Sequence, residues 1–312
     1  MNMLLQVVLL VIGFAMLVKG ADWFVEGSSG IADKFGIPQI VIGLTIVAFG
    51  TSAPEAAISI GAALKGSAEL TIGNVVGSNI LNILLILGIT ALITPLAIQK
   101  NTLKYEIPYV LVVTLLLLGL GINDNMISRL DGAILWAFMI LFLVYLLIMS
   151  KKGAVDIEEI PDEKKLSVWK LLGITAVGMV LIIVGSDFTV DAATKIAEAV
   201  GVSQRVIGLT VVAFGTSLPE LITSVTAGIK GKADIAVGNI VGSNIFNILF
   251  VVGTAAVITP VAFASNFVLD SIIAMLAAVI LWICVCKDLR LKRSAGIMML
   301  IVDAVYFVSL LI

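Results

Sequence analysis

Residues 20–95 recur without a gap at residues 185–260, a constant offset of 165. Ile42–Glu55 reads IGLTIVAFGTSAPE and Ile207–Glu220 reads IGLTVVAFGTSLPE; Gly73–Leu84 reads GNVVGSNILNIL and Gly238–Leu249 reads GNIVGSNIFNIL. Of these 26 paired positions 22 are identical, more than shared hydrophobicity produces. The chain is two copies of one folding unit, and its composition says which solvent that unit meets. Sixty per cent of the 312 residues are hydrophobic and 13% charged, against roughly 45–50% and 25% in a soluble domain.

About 20 apolar residues cross a bilayer as a helix, and ten such runs are predicted: 3–19, 38–63, 70–94, 105–122, 130–149, 167–186, 204–228, 235–259, 267–286 and 295–312. The first has no basic residue before it and runs on through Lys19 without a cleavage site, so it is expected to be retained. Each copy contains five spans. Because five is odd, the copies cross the membrane in opposite senses. The expectation is therefore an all-α integral membrane fold of ten helices in two inverted-topology repeats, 1–150 and 167–312, joined by a linker at 151–166. Repeats of this kind with interrupted helices are the architecture of secondary transporters, whose sites lie at the repeat interface.

Loops after odd-numbered spans hold 15 of the 19 Lys and Arg residues; those after even-numbered spans hold only Lys65, Arg129, Lys195 and Arg205. The positive-inside rule then places the odd loops in the cytoplasm of a cell (plasma) membrane protein and both termini outside. The linker, with Asp156, Glu158, Glu159, Asp162 and Glu163, is expected to be a solvated cytoplasmic segment.

Composition also excludes functions. With a net charge of -2 there is no basic excess for nucleic acid. Histidine is absent, which removes Ser-His and Cys-His nucleophile pairs and the HExxH zinc signature. Cys284 and Cys286 are two apart, point to different helix faces and read as packing residues. An enzyme is not expected, and neither a cofactor nor an obligatory protein partner is implied.

The repeated blocks carry the polar residues. Gly50-Thr51-Ser52-Ala53-Pro54-Glu55 and Gly215-Thr216-Ser217-Leu218-Pro219-Glu220 sit inside apolar runs, where proline removes a helical hydrogen bond and displaces the carbonyl four residues back, here those of Gly50 and Gly215. Such a break is tolerated in lipid only where it is buried in protein or lines a cavity. Thr51, Ser52, Thr216 and Ser217 add hydroxyls, and oxygen-only ligation suits hard cations. Glu55 and Glu220 have no nearby Lys or Arg in sequence, so the carboxylates are expected to share a cation. Ser78 and Asn82, like Ser243 and Asn247, are four apart and share a helix face. Asn79 and Asn244 read as interhelical hydrogen-bonding residues, and Gly73, Gly77, Gly238 and Gly242 as close-packing positions. Asp22 and Asp187, repeat-equivalent and near span ends, are expected to be structural. Asp303, in the middle of the last span, has no acidic counterpart at Phe138.

GTSxPE followed by GNxxGSNxxN, each present twice, resembles the α-repeats of the sodium/calcium exchanger family. That resemblance implies countertransport of Na+ against Ca2+ by alternating access, three Na+ per Ca2+, with short first and sixth spans sliding over the remaining core. Carried over by motif position, it implies ligands at Thr51, Ser52, Glu55, Ser78 and Asn82, then Thr216, Ser217, Glu220, Ser243 and Asn247, plus the carbonyls of Ala48 and Ala213. In the potassium-dependent branch an aspartate stands where this chain has Asn247, so K+-independent exchange is expected. The other functions weighed are a proton-coupled Ca2+ exchanger using the same carboxylates, a passive cation channel, and a membrane-embedded enzyme, for which no nucleophile with a base is visible.

Overall fold

The computed structural model describes residues 3–65, 69–153, 166–201 and 213–311. The first half comprises α1 (Met3–Phe35), α2 (Gln39–Thr51), α3 (Ala53–Leu64), α4 (Leu70–Ile93), α5 (Thr102–Asp124) and α6 (Arg129–Gly153). The second comprises α7 (Val168–Ala199), α8 (Ala213–Thr216), α9 (Leu218–Ile229), α10 (Ala233–Ile258), α11 (Asn266–Cys286) and α12 (Arg293–Leu311). Among the described residues seven helices are long and apolar enough to cross a membrane, or eight if α2 and α3, bent by 52° at their junction, form one broken span. Of the span expected at 204–228, residues 204–212 lie outside the described residues, as does most of the linker.

The first and sixth spans differ from expectation. They are not short: α1 has 33 residues and α7 has 32, about 50 Å each at 1.5 Å per residue. That exceeds the ~30 Å hydrocarbon core, so each must tilt or project beyond it. The charges that mark a span end in the sequence are absorbed within the helix. Asp22 pairs with Lys19 one turn away, at 2.8 Å, and with Lys230 of the other half at 2.5 Å.

α1 and α7 pack on each other along glycines spaced by seven. A Cβ added at Gly13 would lie 2.9 Å from the Gly185 carbonyl oxygen, and one at Gly20 would lie 2.8 Å from that of Gly178. The lower-numbered residue of one helix meets the higher-numbered residue of the other, so these two equivalent helices run antiparallel. Glycine permits backbone contact that any side chain would prevent.

Many other contacts between the halves are also reciprocal. Strand β1 (Leu96–Ala97) pairs antiparallel with β4 (Arg290–Leu291), and β2 (Met126–Ile127) with β3 (Val261–Ala262). These two ribbons are absent from the all-α expectation. The Arg129 guanidinium donates to the Ile258 carbonyl and that of Arg293 to the Ile93 carbonyl, both at 3.3 Å, so each half caps a helix C-terminus of the other.

After residue 95 the repeat register slips by one residue: Asn125 and Leu289, 164 apart, both adopt left-handed φ of 52° and 51°, so Asp303 corresponds to Met139 rather than to Phe138. The cause is a wide π turn at Thr102–Glu106 in α5. A π turn accommodates one inserted residue within a helix, and the straight start of α11 has none. The innermost helices are α4 and α10, with α1, α6 and α7 peripheral.

Candidate functional site

Both broken-helix motifs adopt the same local geometry. Ser52 (φ -82°, ψ 6°) and Ser217 (φ -92°, ψ 5°) interrupt the helix, and Pro54 and Pro219 follow in the first turn of α3 and α9. Proline costs nothing there because the N–H it lacks has no intrahelical acceptor. Glu55 and Glu220 occupy the same first turns, where unpaired N–H groups favour negative charge.

Both glutamates are completely buried. The Ser52 hydroxyl donates to Glu220 Oε1 at 2.8 Å, and the Ser217 hydroxyl donates to Glu55 Oε1 at 3.3 Å, so each carboxylate is held by the hydroxyl of the opposite half. Oε2 of each has no partner. Among the described residues no Lys or Arg forms an ion pair with either glutamate.

A second pair of buried acceptors lies on α4 and α10. Asn82 and Asn247 each begin a wide π turn, Asn82–Leu87 and Asn247–Val252. Their amide nitrogens donate to Asn244 Oδ1 (2.9 Å) and Asn79 Oδ1 (3.2 Å), leaving both Oδ1 atoms buried and without a partner. Tying down the NH2 orients the oxygen, since an amide has one donor end and one acceptor end. Asn79 and Asn244 in turn donate to each other's backbone carbonyls, both at 3.1 Å. These four asparagines are one reciprocal cross-link between the innermost helices. Asn244→Ala, which strands the Asn82 amide donor and the Asn79 carbonyl acceptor of the first half, is expected to lower stability by about 1–3 kcal/mol, read as a lower melting temperature in detergent.

The outer supports are reciprocal too. Asn74 and Asn239 donate to the Ser59 and Ser224 hydroxyls, both at 2.9 Å, and more weakly to the Glu55 and Glu220 carbonyls, both at 3.4 Å. Thr51 donates to Asn239 Oδ1 at 2.9 Å. The Ala48 carbonyl is approached by the Thr51 and Ser243 hydroxyls at 3.4 and 3.5 Å. Ser78 is buried and Thr216 half-buried on the expected elements, and Ala213 begins α8.

One expected oxygen is occupied. The Gly215 carbonyl, displaced by Pro219, accepts the Ser186 hydroxyl of α7 at 3.0 Å. Ser186 corresponds to Ala21, so the first half lacks this donor, and sequence reading passed over it for that reason. Thr223 was missed as well: its hydroxyl is buried without a partner in α9, where the first half has Ile58. Asp22 lies outside this cluster in its lysine pairs.

Two buried carboxylates with no cationic side chain paired to them among the described residues call for a compensating charge. Burying an ionised carboxylate costs several kcal/mol even after relaxation. Carboxylates, hydroxyls and amide oxygens are the donors these side chains offer, a set suited to hard cations rather than soft transition metals.

The sequence pattern of the family described as "Sodium/calcium exchanger protein" matches residues 5–148 and 170–312, once in each half. The sodium/calcium exchanger MaX1 of Methanosarcina acetivorans is 30% identical over 340 residues, covering 97% of each chain. Inner membrane protein YrbG of Escherichia coli is 38% identical over 298 residues, covering 90% of each. The solved structure of the sodium-calcium exchanger NCX_Mj superimposes with a TM-score of 0.86 at 35% identity, over 99% of both chains. MaX1 and NCX_Mj are named as sodium/calcium exchangers, not enzymes. Two matched halves, full-length relatives and a shared membrane fold make this chain a member of the sodium/calcium exchanger protein family.

Proposed function

We propose that the protein is an electrogenic, K+-independent Na+/Ca2+ antiporter of the plasma membrane, working by alternating access. Its ten spans form two inverted repeats, residues 1–150 and 167–312, with both termini outside and residues 151–166 cytoplasmic. The antiparallel packing of the equivalent helices α1 and α7 supports that topology. The observation that carries the function is the buried pair Glu55 and Glu220, each with an unpartnered Oε2, together with the buried, unpartnered Oδ1 atoms of Asn82 and Asn247. Thr51, Ser52, Ser78, Thr216, Ser217, Ser243 and the carbonyls of Ala48 and Ala213 complete the proposed ligand set.

Charge sets the coupling. One Ca2+ neutralises two carboxylates, whereas three Na+ leave a net charge of +1. An empty site carries two uncompensated charges and resists passage through an apolar barrier. Occupancy by Ca2+ or by Na+ is therefore the condition for the conformational step, and this makes the two fluxes obligatory partners.

Exchange should carry a current in the direction of Na+ movement. Reconstituted protein on a supported membrane, given a Ca2+ jump, is expected to produce that current in K+-free buffer; an electroneutral response or a K+ requirement contradicts the proposal. Asn247→Asp raises the site to three carboxylates, which Ca2+ alone cannot neutralise. That variant is expected to lose K+-free exchange and to regain part of it when a monovalent cation such as K+ is supplied.

A further inference from the structure

The repeat relation has a conspicuous exception. Lys230, at the C-terminal cap of α9, reaches across to α1 and holds Asp22 twice: its Nζ lies 2.5 Å from the carboxylate and donates to the Asp22 backbone carbonyl at 2.9 Å. The equivalent residues are Lys65, at the C-terminal cap of α3, and Asp187 of α7. Neither has an ion-pair partner among the described residues. The helices follow the same asymmetry: α1 packs along α9, and α7 has no comparable packing along α3 among the described residues.

We infer that Asp22–Lys230 and Asp187–Lys65 are two alternating latches, one at each end of the α1–α7 pair, and that only one closes at a time. The inference rests on the alternating-access reading above. In a carrier built from inverted repeats, the opposite state is the one in which each half adopts the other's arrangement. Contacts made by one member of a repeat pair here are then made by the other member there. α1 and α7 are locked together by their glycine rows, so leaning α1 onto α9 at one end draws α7 away from α3 at the other. In the orientation proposed above, the closed latch is on the cytoplasmic side and the open one outside.

The latches are unequal. Asp22 is also paired with Lys19 at 2.8 Å, whereas the residue equivalent to Lys19 in α7 is Val184. Lys19 and Asp22 share α1, so their pair persists in both states, and the contact that closes this latch is Lys230 alone. Lys230 therefore biases the ion-free carrier toward the state with Asp22 engaged, and Lys230→Ala should shift the ratio of the two states by about fivefold, the scale of one partly exposed ion pair.

Two cysteine pairs in the full chain carrying Cys284→Ser and Cys286→Ser test this: Asp22→Cys with Lys230→Cys, and Lys65→Cys with Asp187→Cys. A short reducible bis-thiosulfonate is expected to link the first pair in ion-free protein and the second pair only during turnover. Either link should stop transport, and reduction should restore it. The charge swap Asp22→Lys with Lys230→Asp serves where a single variant misfolds, and is expected to retain the bias that Lys230→Ala loses. Linking both pairs at once in one molecule, transport that continues without the second pair ever linking, or an unchanged state ratio in Lys230→Ala would overturn the latches. If protons rather than Na+ drive exchange, the cross-linking pattern persists under a pH gradient. Ion flow through both linked proteins would overturn the latches and alternating access together.

Discussion

Glu220→Gln, and equally Glu55→Gln, is expected to reduce Na+-driven Ca2+ uptake by roughly a hundredfold or more. Truncating one side of a buried charge contact costs about 2–5 kcal/mol, and each 1.4 kcal/mol is tenfold. A second consequence separates this from simple damage. Each glutamate is fully buried, with one carboxylate oxygen lacking a partner. Replacing it by a neutral amide removes a desolvated charge, so the ion-free variant should melt no lower than the natural protein, and the rise in melting temperature that Ca2+ produces should vanish. Thermal melts with and without Ca2+ alongside flux check both. Natural flux in either variant, or an undiminished Ca2+ shift, contradicts the shared site.

The second large effect concerns the moving parts. A Cβ at Gly178 would lie 2.6 Å from the Phe24 amide nitrogen and 2.8 Å from the Gly20 carbonyl oxygen. Both are backbone atoms of α1, which cannot rotate aside. Gly178→Val must therefore push α1 and α7 apart, and overpacking of this kind costs about 1–3 kcal/mol or more. We expect a melting temperature lower by several degrees and exchange reduced at least about tenfold. Gly173→Val on the same helix, where an added Cβ meets nothing within 4 Å, is the control and should leave both near the natural values. Equal losses in the two variants would mean that the glycine contact is not what couples the helices.

How much of this is legible in the sequence depends on the kind of interaction. The repeat, the broken helices at Pro54 and Pro219 and the burial of Glu55 and Glu220 follow from local pattern: a proline inside an apolar run has one backbone consequence, and a carboxylate there has few places to go. The interhelical role of Asn79 and Asn244 follows from polar side chains at lipid depth needing partners, although the partner itself is not a local property. Ser52 binding Glu220, rather than Glu55 three residues away in its own chain segment, is a consequence of how the halves meet, and no spacing reports it. The same holds for Ser186 on the Gly215 carbonyl and for the two strand pairs.

The length of α1 and α7 escaped for a different reason. A lysine and an aspartate inside an apolar run read as the end of a span, and only the three-dimensional neighbour Lys230 shows how Asp22 is accommodated within a continuous helix. The one-residue slip of register is likewise visible only once the π turn at Thr102–Glu106 is placed, because an insertion absorbed inside a helix leaves the hydrophobic pattern nearly unchanged.

The most direct test of the central claim is uptake of radioactive Ca2+ into proteoliposomes holding the purified protein and loaded with Na+, against vesicles loaded with K+ and vesicles given a pH jump. A Na+/Ca2+ antiporter with a shared carboxylate site gives uptake that requires internal Na+, proceeds without K+ on either side and disappears in Glu220→Gln. Uptake driven by the pH gradient alone, or Ca2+ entry that needs no counter-ion, would contradict it.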